Sequence, residues 1–362
     1  MKKLIAAVLL FALVLSSCNL LGDGGESSGT DVSETISETD VSSADVSVPE
    51  ESAEESNEPV SYFVKGDTVH DNGFEYDFDP SHAVNEFAAV VSFVNYLYGR
   101  GEYHYVPHEG AAEGEVNSPF DGASASDKFT FMYIDLESGC SFGYGADTIY
   151  QTCSVIKPSL AVFILRSGAD LSEEITIKKY YGGSGVLTKA DVGKAFSAEY
   201  LISIMITESD NTAYIHLLQH YGQQAFSDYL SSIGNENTNV GAPTWYKFGL
   251  ISTRDLAVMM LDVYNYSLES DSGAWVMELM CNTSYNELIT AAGLKWKIAH
   301  KYGEDNGIEP SLHDAAIVLA DRPYILVICS KSDVNGAYSY NVFSELTFLI
   351  DNFNDAMHGG NR

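Results

Sequence analysis

Apolar residues follow a helical period near residue 90, through the middle of the chain and again near its end. Side chains that recur every three or four residues lie on one face of a helix, so each of these stretches is predicted to be helical. The predicted helical stretches are 81–98, most of 154–219, 223–233, 253–266, 274–280 and 340–353. Thr253 is expected to cap the fourth of them through its hydroxyl.

Shorter runs rich in β-branched and aromatic residues lie on either side of the helical middle and predict strands. They cover residues 129–136, 141–144, 295–302, 315–320 and 324–330. Strands at both ends with helices between them favour one antiparallel sheet flanked by terminal helices, with an all-helical lobe inserted between sequence-distant strands. We therefore predict an α/β (α+β) fold with one domain over 129–358, preceded by a lead-in with a helix and a loop over 61–128.

The first residues carry the pattern of a bacterial export signal. Lys2 and Lys3 precede an apolar run over 4–15, which is too short to span a bilayer comfortably. The run ends in Leu-Ser-Ser-Cys, which resembles the lipobox of bacterial lipoproteins. We expect a signal peptide over 1–17 and a lipid on Cys18, which would anchor the protein to the cell membrane outside the cytoplasm. An ordinary secretory signal with an incidental Cys18 is the alternative.

An acidic and polar stretch follows this signal. Residues 19–60 contain twelve Asp or Glu and no Lys or Arg, and such a composition buries too little apolar surface to offset the entropy of ordering. We predict that residues 18–60 form a disordered tether with an end-to-end distance of roughly 35 Å. Residues 61–362 carry a formal charge of 17 − 39 = −22 within a total of −32. This charge argues against nucleic-acid binding, because the chain would repel phosphates.

Four cysteines lie beyond Cys18, and they are Cys140, Cys153, Cys281 and Cys329. They allow three disulfide pairings, and the sequence favours none of them. Cys153 is expected to be a small buried packing residue. No spacing of Cys and His resembles a zinc site, so we predict neither a metal nor another cofactor.

Three short motifs carry the candidate chemistry. Ser154 and Lys157 form the only Ser-x-x-Lys pair, and Ser209-Asp210-Asn211 and Lys301-Tyr302-Gly303 follow in that order. Residues three apart at the start of a helix share one face, so the lysine amine can take the proton of the serine hydroxyl. This requires a lysine pKa well below about 10.4, which burial and a second cation such as Lys301 would provide. On its own the pair is a common chance match, with an exposed lysine as the alternative.

The motifs and their flanks resemble the class A β-lactamases, a family of penicillin-recognising serine hydrolases. The resemblance covers about 129–353 and includes the sequence Gly-Gly-Ser-Gly-Val-Leu and the helical stretch upstream of Ser209. It implies that Ser154 is the nucleophile and that Lys157 accepts its proton. Ser209 would then pass a proton to the leaving nitrogen, and Lys301 would supply positive charge.

The resemblance also implies a set of substrate-binding positions. Asn211 would hold the amide side chain of the substrate, and Tyr302 and Gly303 would lie beside the substrate as part of the third motif. The N–H groups of Ser154 and Glu304 would form an oxyanion hole for the carbonyl under attack.

Two features depart from the family pattern. The residue after the motif lysine is normally Thr or Ser, whose hydroxyl helps to hold the substrate carboxylate, whereas this chain has Tyr302. The family also hydrolyses its acyl-enzyme with a glutamate on a loop between the second and third motifs. Residues 237–254 contain no Asp or Glu, and Glu236 comes too early. We therefore expect acylation without fast deacylation. The sequence Lys-Phe-Gly at 247–249 also fits the third motif, but we reject it because the family has no catalytic strand there.

The resemblance implies an extracytoplasmic serine hydrolase that acts on β-lactams or on the D-Ala-D-Ala end of peptidoglycan stems. The missing glutamate favours a weak β-lactamase or a D,D-peptidase over an efficient resistance enzyme. The alternative is a catalytically weak or inactive lipoprotein that binds or senses cell-wall peptides or β-lactams, and an unrelated ester or amide substrate stays open. We expect a monomer, and we expect His300 and His313 to be structural residues of strands.

Overall fold

The structure is a computed structural model, and it describes residues 60–106, 129–241, 248–306, 310–331 and 337–360. The predicted signal peptide, Cys18 and the predicted tether up to residue 59 lie outside the described residues. Residues 107–128, which belong to the predicted lead-in, and 242–247, which include Lys247, lie outside them too.

The described body contains eleven strands, of which seven form one sheet. They are β1 (Val69–Asp71), β2 (Phe74–Tyr76), β3 (Phe129–Asp135), β4 (Ser141–Tyr144), β5 (Ile149–Gln151), β6 (Glu174–Thr176), β7 (Ala195–Ser197), β8 (Leu250–Ser252), β9 (Lys297–Asp305), β10 (Ser311–Leu319) and β11 (Tyr324–Ser330). The large sheet is antiparallel throughout, with strand order β1-β2-β4-β3-β11-β10-β9. Strands β5 and β8 form a separate antiparallel pair, and so do β6 and β7.

Eight α-helices lie within the same described ranges. They are α1 (Val84–Leu97), α2 (Lys157–Arg166), α3 (Ala198–Thr207), α4 (Asn211–Tyr221), α5 (Gln223–Ser232), α6 (Thr253–Glu269), α7 (Asp271–Cys281) and α8 (Ala337–Met357). None of these eight is long and apolar enough to cross a membrane.

The helices lie in two groups around the sheet. Helices α1 and α8 cover one face, where Phe93, Phe343 and Phe353 are completely buried in one core with Phe131 and Leu326 of the strands. Helices α2 to α7 form the helical lobe, and α6 packs against β3, β10 and β11 as well as against α2 and α7. Helix α6 therefore joins the lobe to the sheet.

The predicted fold class is confirmed. The helical lobe is inserted between β4 and β9, which are distant in sequence and belong to the same antiparallel sheet. Strands β3 and β4 have their predicted bounds to within one residue, because a buried hairpin has a strong β-branched and aromatic pattern.

Three predictions about local structure are wrong. Helix α2 begins at Lys157, and Ser154 lies before it in the 3-10 helix Cys153–Ile156. Ser252, and not Thr253, caps α6, since its Oγ accepts the N–H of Asp255 at 3.0 Å. Fewer than half of residues 154–219 lie in α-helices, because the short strands β6 and β7 and the loop between them interrupt the region.

Candidate active site

Ser154 lies in a tight turn that a neighbouring strand holds in place. The turn is the 3-10 helix Cys153–Ile156, and Cys153 has a φ of 45°, which is uncommon for a residue other than glycine. The N–H of Thr152 donates to the carbonyl oxygen of Gly249 at 3.0 Å, and β5 pairs with β8. The pairing of β5 with β8 and the left-handed backbone conformation of Cys153 therefore position the candidate nucleophile.

Lys157 is the first residue of α2, and its side chain is completely buried. Its Nζ lies 2.9 Å from Ser154 Oγ, 2.6 Å from the Ser209 carbonyl oxygen, 3.1 Å from Ser209 Oγ and 2.9 Å from Asn211 Oδ1. Burial, and secondly the positive charge of Lys301, hold the pKa of Lys157 well below its usual value. The structure thus provides an amine that can be neutral within hydrogen-bond distance of the Ser154 hydroxyl.

The second motif is fixed between α3 and α4 by its own aspartate. Ser209 is buried and has a φ of 54°. The carboxylate of Asp210 caps α4 by accepting the N–H of Ala213 at 2.8 Å, and it also accepts the N–H of Leu187 at 2.8 Å. These bonds tie the start of α4 to the glycine-rich loop, and they hold Ser209 facing the amine of Lys157.

Strand β9 passes close to the Ser154 turn at Gly303. A Cβ atom on Gly303 would lie 2.7 Å from the Ser154 nitrogen, 2.9 Å from Cys153 Cβ and 3.0 Å from the Val155 nitrogen. Any other side chain would overlap these atoms, which explains why a glycine stands here. Because β9 is an edge strand of the sheet, its outer N–H groups are available to other acceptors.

Lys301 lies on β9 and is completely buried. Its Nζ donates to the carbonyl oxygen of Tyr302 at 3.0 Å and lies 4.2 Å from the centroid of the Tyr302 ring. Burial lowers the pKa of Lys301 to about 7, although the carboxylates of Asp314 and Glu304 oppose this change. Lys301 therefore titrates near neutral pH, and its charge acts on Lys157.

Tyr302 is partly buried and connects the third motif to the second. Its ring stacks on Tyr285 with 4.0 Å between centroids and 26° between planes, and the Tyr285 hydroxyl donates to that of Tyr340 at 3.1 Å. The Ser209 hydroxyl lies close enough to the Tyr302 phenol to act on it by lowering its pKa, against the larger effects of burial and of Glu304. Burial, and secondly the charge of Glu304, raise the pKa of Tyr302, so the phenol keeps its proton at neutral pH.

The two histidines near the third motif have structural contacts. Nδ1 of His300 lies 2.9 Å from Asp314 Oδ1, and its Nε2 lies 2.8 Å from Thr283 Oγ1. Nε2 of His313 lies 2.9 Å from the carbonyl oxygen of Gln151, and burial lowers the pKa of His313 to about 4. Both rings are buried among strand residues, which is the kind of environment that we predict for them from the sequence.

These elements enclose a cleft of about 360 Å³ between the β9 edge of the sheet and the helical lobe. The predicted site residues that line the cleft are Ser154, Ser209, Asn211, Tyr302 and Glu304. Lys157 and Lys301 have no exposed surface and contact these lining residues, and Gly303 abuts the Ser154 turn. The structure therefore brings every predicted catalytic and substrate-binding residue to one site.

Several lining residues are not predicted from the sequence. They are Gln151, Gly182, Gly183, Ser184, Phe248, Gly249, Asp305 and Asn306, besides Cys153. The ring of Phe248 stacks on Tyr214 with 4.7 Å between centroids, and Lys157 Nζ lies 5.5 Å from the Phe248 ring. The sequence feature that could have indicated Phe248 and Gly249 as lining residues is the Lys-Phe-Gly sequence at 247–249. It is not the third motif, but the pairing of β5 with β8 brings its last two residues to the cleft.

The described part of the segment between α5 and β8 presents no carboxylate to the cleft. Asp255 accepts the N–H of Glu236 at 3.2 Å, the N–H of Asn237 at 2.7 Å and the hydroxyl of Thr238 at 2.7 Å. Glu236 itself is exposed and does not line the cleft. Residues 242–247, outside the described ranges, contain no Asp or Glu in the sequence.

The sequence matches a model of the beta-lactamase enzyme family over residues 113–352. The chain belongs to the beta-lactamase enzyme family. The match contains all three motifs and the strands β3 to β11. The family membership that the motifs predict is therefore confirmed.

Solved structures share the fold of this β-lactamase family chain. PBP-A is 24% identical with a TM-score of 0.57, covering 63% of this chain and 90% of PBP-A. A PBP-A variant in an acyl-enzyme complex with penicillin G is 26% identical with a TM-score of 0.56, covering 62% of this chain and 89% of the other. A β-lactamase from Sphaerobacter thermophilus is 16% identical with a TM-score of 0.58, and the match covers 73% of this chain and 96% of that β-lactamase. No curated protein sequence matches the chain significantly.

Proposed function

We propose that this β-lactamase family member is an extracytoplasmic serine hydrolase. It is acylated on Ser154 by β-lactams or by D-Ala-D-Ala-type amides, and it releases the acyl group slowly. One observation carries the proposal: Lys157 Nζ lies 2.9 Å from Ser154 Oγ in an environment that lowers the pKa of the amine. A neutral amine at this distance can activate the hydroxyl as a nucleophile. The penicillin G acyl-enzyme of a PBP-A variant supports this substrate class.

During acylation, protons pass between Ser154, Lys157, Ser209 and the leaving nitrogen. At the end of the sequence Lys157 is neutral again. As Ser154 Oγ bonds to the carbonyl carbon, its proton passes to Lys157 Nζ, and the carbonyl π electrons move onto oxygen. When the intermediate collapses, the carbon–nitrogen bond breaks, and the nitrogen keeps the electron pair and takes a proton from Ser209 Oγ. Ser209 regains a proton from Lys157 Nζ, which lies 3.1 Å away. The products are an ester of Ser154 and an amine.

The negative charge on the carbonyl oxygen develops beside backbone donors. The N–H of Ser154 and the N–H of Glu304 are the proposed pair, and the close approach of Gly303 to the Ser154 nitrogen supports it. Fixed N–H donors of this kind lower the barrier by about 3 kcal/mol each. Lys301, when protonated, adds positive charge to the same region.

Slow deacylation follows from the described part of the segment between α5 and β8, where the family's deacylating glutamate is expected and no carboxylate faces the cleft. Hydrolysis of the ester needs a base that activates a water molecule. Glu236 is exposed and outside the cleft lining, and Asp255 accepts three hydrogen bonds from residues 236–238. Neither carboxylate is placed to activate a water at Ser154, so the acyl-enzyme is expected to accumulate.

The N-terminal sequence supports a place outside the cytoplasm. Two lysines, an apolar run and the sequence Leu-Ser-Ser-Cys precede an acidic stretch that lacks basic residues. We propose that a lipid on Cys18 anchors the chain and that residues 18–60 act as a flexible tether. A tether with a span of roughly 35 Å would let the cleft reach peptidoglycan stems near the membrane.

A fluorescent penicillin, followed by intact-mass measurement, tests this function. We expect the wild-type protein to gain one penicillin mass and to keep it long after excess reagent is removed. Ser154→Ala should gain none, since it lacks the nucleophile. Turnover that leaves no adduct on the wild type would contradict slow deacylation, and an adduct on Ser154→Ala would contradict a Ser154 ester.

A second candidate function is binding or sensing of cell-wall peptides without turnover. The position of the Tyr302 phenol near Ser209 favours it, because a phenol there can compete for the hydroxyl that must protonate the leaving nitrogen. Saturable binding of an acyl-D-Ala-D-Ala peptide, with no adduct from any β-lactam, would support this role instead.

A further inference from the structure

The carbonyl oxygen of Ser209 has a second hydrogen-bond donor besides Lys157. Ser184 Oγ donates to this oxygen at 2.6 Å, and Lys157 Nζ lies at the same distance of 2.6 Å from it. A carbonyl oxygen has two lone pairs, so these two donors use its whole accepting capacity. The hydroxyl of Ser184 therefore determines which lone pair of the oxygen is left for the amine of Lys157.

Ser184 belongs to the glycine-rich loop 182–185, which is held against the second motif. The N–H of Asn211 donates to the carbonyl oxygen of Ser184 at 3.1 Å. Gly185 has a φ of 115°, and a Cβ atom on it would lie 2.4 Å from Asp210 Cα. Only a glycine allows this close approach of the two backbones. The approach brings the Ser184 hydroxyl to the carbonyl group that precedes Asp210.

The hydrogen-bond partners of Lys157 fix the direction of its amine. A neutral amine has two N–H groups and one lone pair. Two partners of Nζ can only accept, and these are the Ser209 carbonyl oxygen at 2.6 Å and Asn211 Oδ1 at 2.9 Å. The amide of Asn211 has a defined orientation, because its Nδ2 donates to the carbonyl oxygen of Gly182 at 3.3 Å. Both N–H groups are thus used, and the lone pair of the amine is left for a hydroxyl.

This lone pair faces the hydroxyls of the first two motifs. Ser154 Oγ lies 2.9 Å from Lys157 Nζ, and Ser209 Oγ lies 3.1 Å from it. A base accepts a proton along its lone pair, so the direction of the two N–H groups decides whether Ser154 is activated. One of these directions is set at the carbonyl oxygen that Ser184 shares with Lys157.

Sharing of this oxygen also favours the neutral form of the amine. An oxygen that accepts only from the lysine stabilises the ammonium more than one that already holds another donor. The titratable groups around Lys157 come from β9, the Ser154 turn and the start of α4, and they are Lys301, Cys153, Asp210 and Tyr214. Burial and then the charge of Lys301 lower the pKa of the amine, whereas Asp210 and Cys153 raise it.

We propose that Ser184 is a positioning residue for acylation, which directs the lone pair of Lys157 at the nucleophile through the Ser209 carbonyl oxygen. Ser184 takes no proton itself and acts only through that oxygen. Without its hydroxyl, an N–H of Lys157 moves to the freed lone pair of the oxygen, and the lone pair of the amine turns away from Ser154. The inference rests on the proposed acylation of Ser154.

The pH profile of acylation by a fluorescent penicillin tests this role. In Ser184→Ala we expect the second-order rate constant at neutral pH to fall by about tenfold, since one hydrogen bond of a network with a charged group is lost. The midpoint of the rise with pH should move up by about half a unit, because the unshared oxygen stabilises the ammonium. Ser184→Thr keeps the hydroxyl and should restore the wild-type rate and midpoint.

A matched serine elsewhere in the chain provides the control. Ser231 is exposed on α5 and does not line the cleft, and its Oγ donates to the carbonyl oxygen of Ser227 at 3.2 Å. Ser231→Ala should therefore leave both the rate constant and the midpoint unchanged. A slower Ser184→Ala with an unmoved midpoint would show that the loop is only loosened, and it would overturn the proposal. A Ser184→Thr variant as slow as Ser184→Ala would overturn it too.

Direct titration of Lys157 separates this inference from the proposed function. Protein labelled with carbon-13 at lysine Cε is followed by NMR against pH without substrate, and the signal that is absent in Lys157→Arg identifies the residue. We expect a higher pKa of Lys157 in Ser184→Ala than in wild type or Ser184→Thr. If penicillin forms no adduct on Ser154, the proposed function fails, and the higher pKa would still establish the effect of Ser184 on the amine. An equal pKa in the three proteins would overturn the inference.

Discussion

At the scale of single residues, the two lysines of the site form one titrating unit. Lys157 must be neutral to accept the proton of Ser154, and the charge of Lys301 helps to keep it neutral. Lys301 in turn has a pKa of about 7 and loses its own charge near neutral pH. Proton loss therefore belongs to the pair, and the pH profile of acylation should report it.

We predict that the rate of acylation rises with pH, and that Lys301→Met moves this rise to higher pH. Removal of Lys301 takes away a positive charge that lowers the pKa of Lys157, so the neutral amine forms later. The second-order rate constant for a fluorescent penicillin, measured over about pH 5 to 10, gives the midpoint. The exposed Lys295, changed to Met, is the control. A midpoint that stays or falls in Lys301→Met would contradict the coupling.

Tyr302→Thr should accelerate acylation by penicillin by about tenfold or more, since it removes a ring from the cleft and restores a short hydroxyl. Tyr302→Phe keeps the ring and loses only the contact with Ser209. Rate constants for the three proteins show which property slows the wild type. If Tyr302→Thr is as slow as Tyr302→Phe and the wild type, the tyrosine is not the obstacle.

Residue spacing predicts some contacts of the site and leaves others out. The contact of Ser154 with Lys157 was predictable, because three residues make about one helical turn whether the turn is α or 3-10. The contact of Tyr302 with Ser209 was not, since it depends on the path of β9 past the helical lobe. Ser252 and Thr253 are adjacent and both can cap a helix, but Ser does so more readily than Thr, so the prediction of Thr253 overlooks the better capping residue.

At the scale of elements, the site depends on the distance between β9 and the Ser154 turn. Gly303 sets this distance, because a Cβ atom there would lie 2.7 Å from the Ser154 nitrogen. The sequence alone predicts a strand here, and its register against β10 is what brings Gly303 to the turn. Strands β6 and β7 were missed because three residues are too few to show an alternating pattern.

Gly303→Ala should reduce the rate of acylation by about a hundredfold. The added methyl group must push β9 away from the Ser154 turn, and a displacement of about 1 Å at a reacting group has an effect of this size. Acylation kinetics and thermal unfolding of the variant give the two measurements needed. Gly101→Ala is the control, because a Cβ atom there has no neighbour within 4 Å and its φ is not positive. Wild-type kinetics in Gly303→Ala would show that this approach does not position the nucleophile.

At the scale of the whole molecule, the buried lysines of the site lower the free energy of unfolding. Two completely buried lysines lie close enough for one to lower the pKa of the other. A group whose pKa is lower in the folded state binds more protons when the chain unfolds, so its contribution to stability improves as pH rises. For Lys301 that improvement begins near the folded pKa of about 7 and is complete above the unfolded value of about 10.4.

Lys301→Met should therefore raise the free energy of unfolding at pH below 7, by about 2 kcal/mol. The gain should shrink as pH rises above about 7 and should be lost above about pH 10.4, where Lys301 becomes neutral in both states. Urea unfolding of wild type and variant at an acidic and an alkaline pH measures the difference, in which titrating groups that do not interact with Lys301 cancel. A variant that is less stable at acidic pH would show that the buried ammonium stabilises the fold.

Cys18→Ser should move the full-length protein from the membrane fraction to the soluble fraction of a bacterial host that processes lipoproteins. The lipid is proposed to be the main membrane attachment, because the remaining chain is strongly acidic and is repelled by anionic headgroups. Cys281→Ser is the matched control for loss of a thiol. Fractionation followed by immunodetection gives the result, and membrane retention of Cys18→Ser would contradict the anchor.

The four cysteines of the described body are free, and all four are poor nucleophiles. Cys140, Cys153 and Cys329 are buried, and burial raises the pKa of each of them. Burial also raises the pKa of Cys281, to about 11. Because the thiolate is the reactive form, these sulfurs stay protonated and unreactive at physiological pH. Electrophilic inhibitors can therefore be screened against the intact protein without blocking these thiols. In such a screen, an added mass at this turn reports an ester on Ser154 and not alkylation of the neighbouring Cys153.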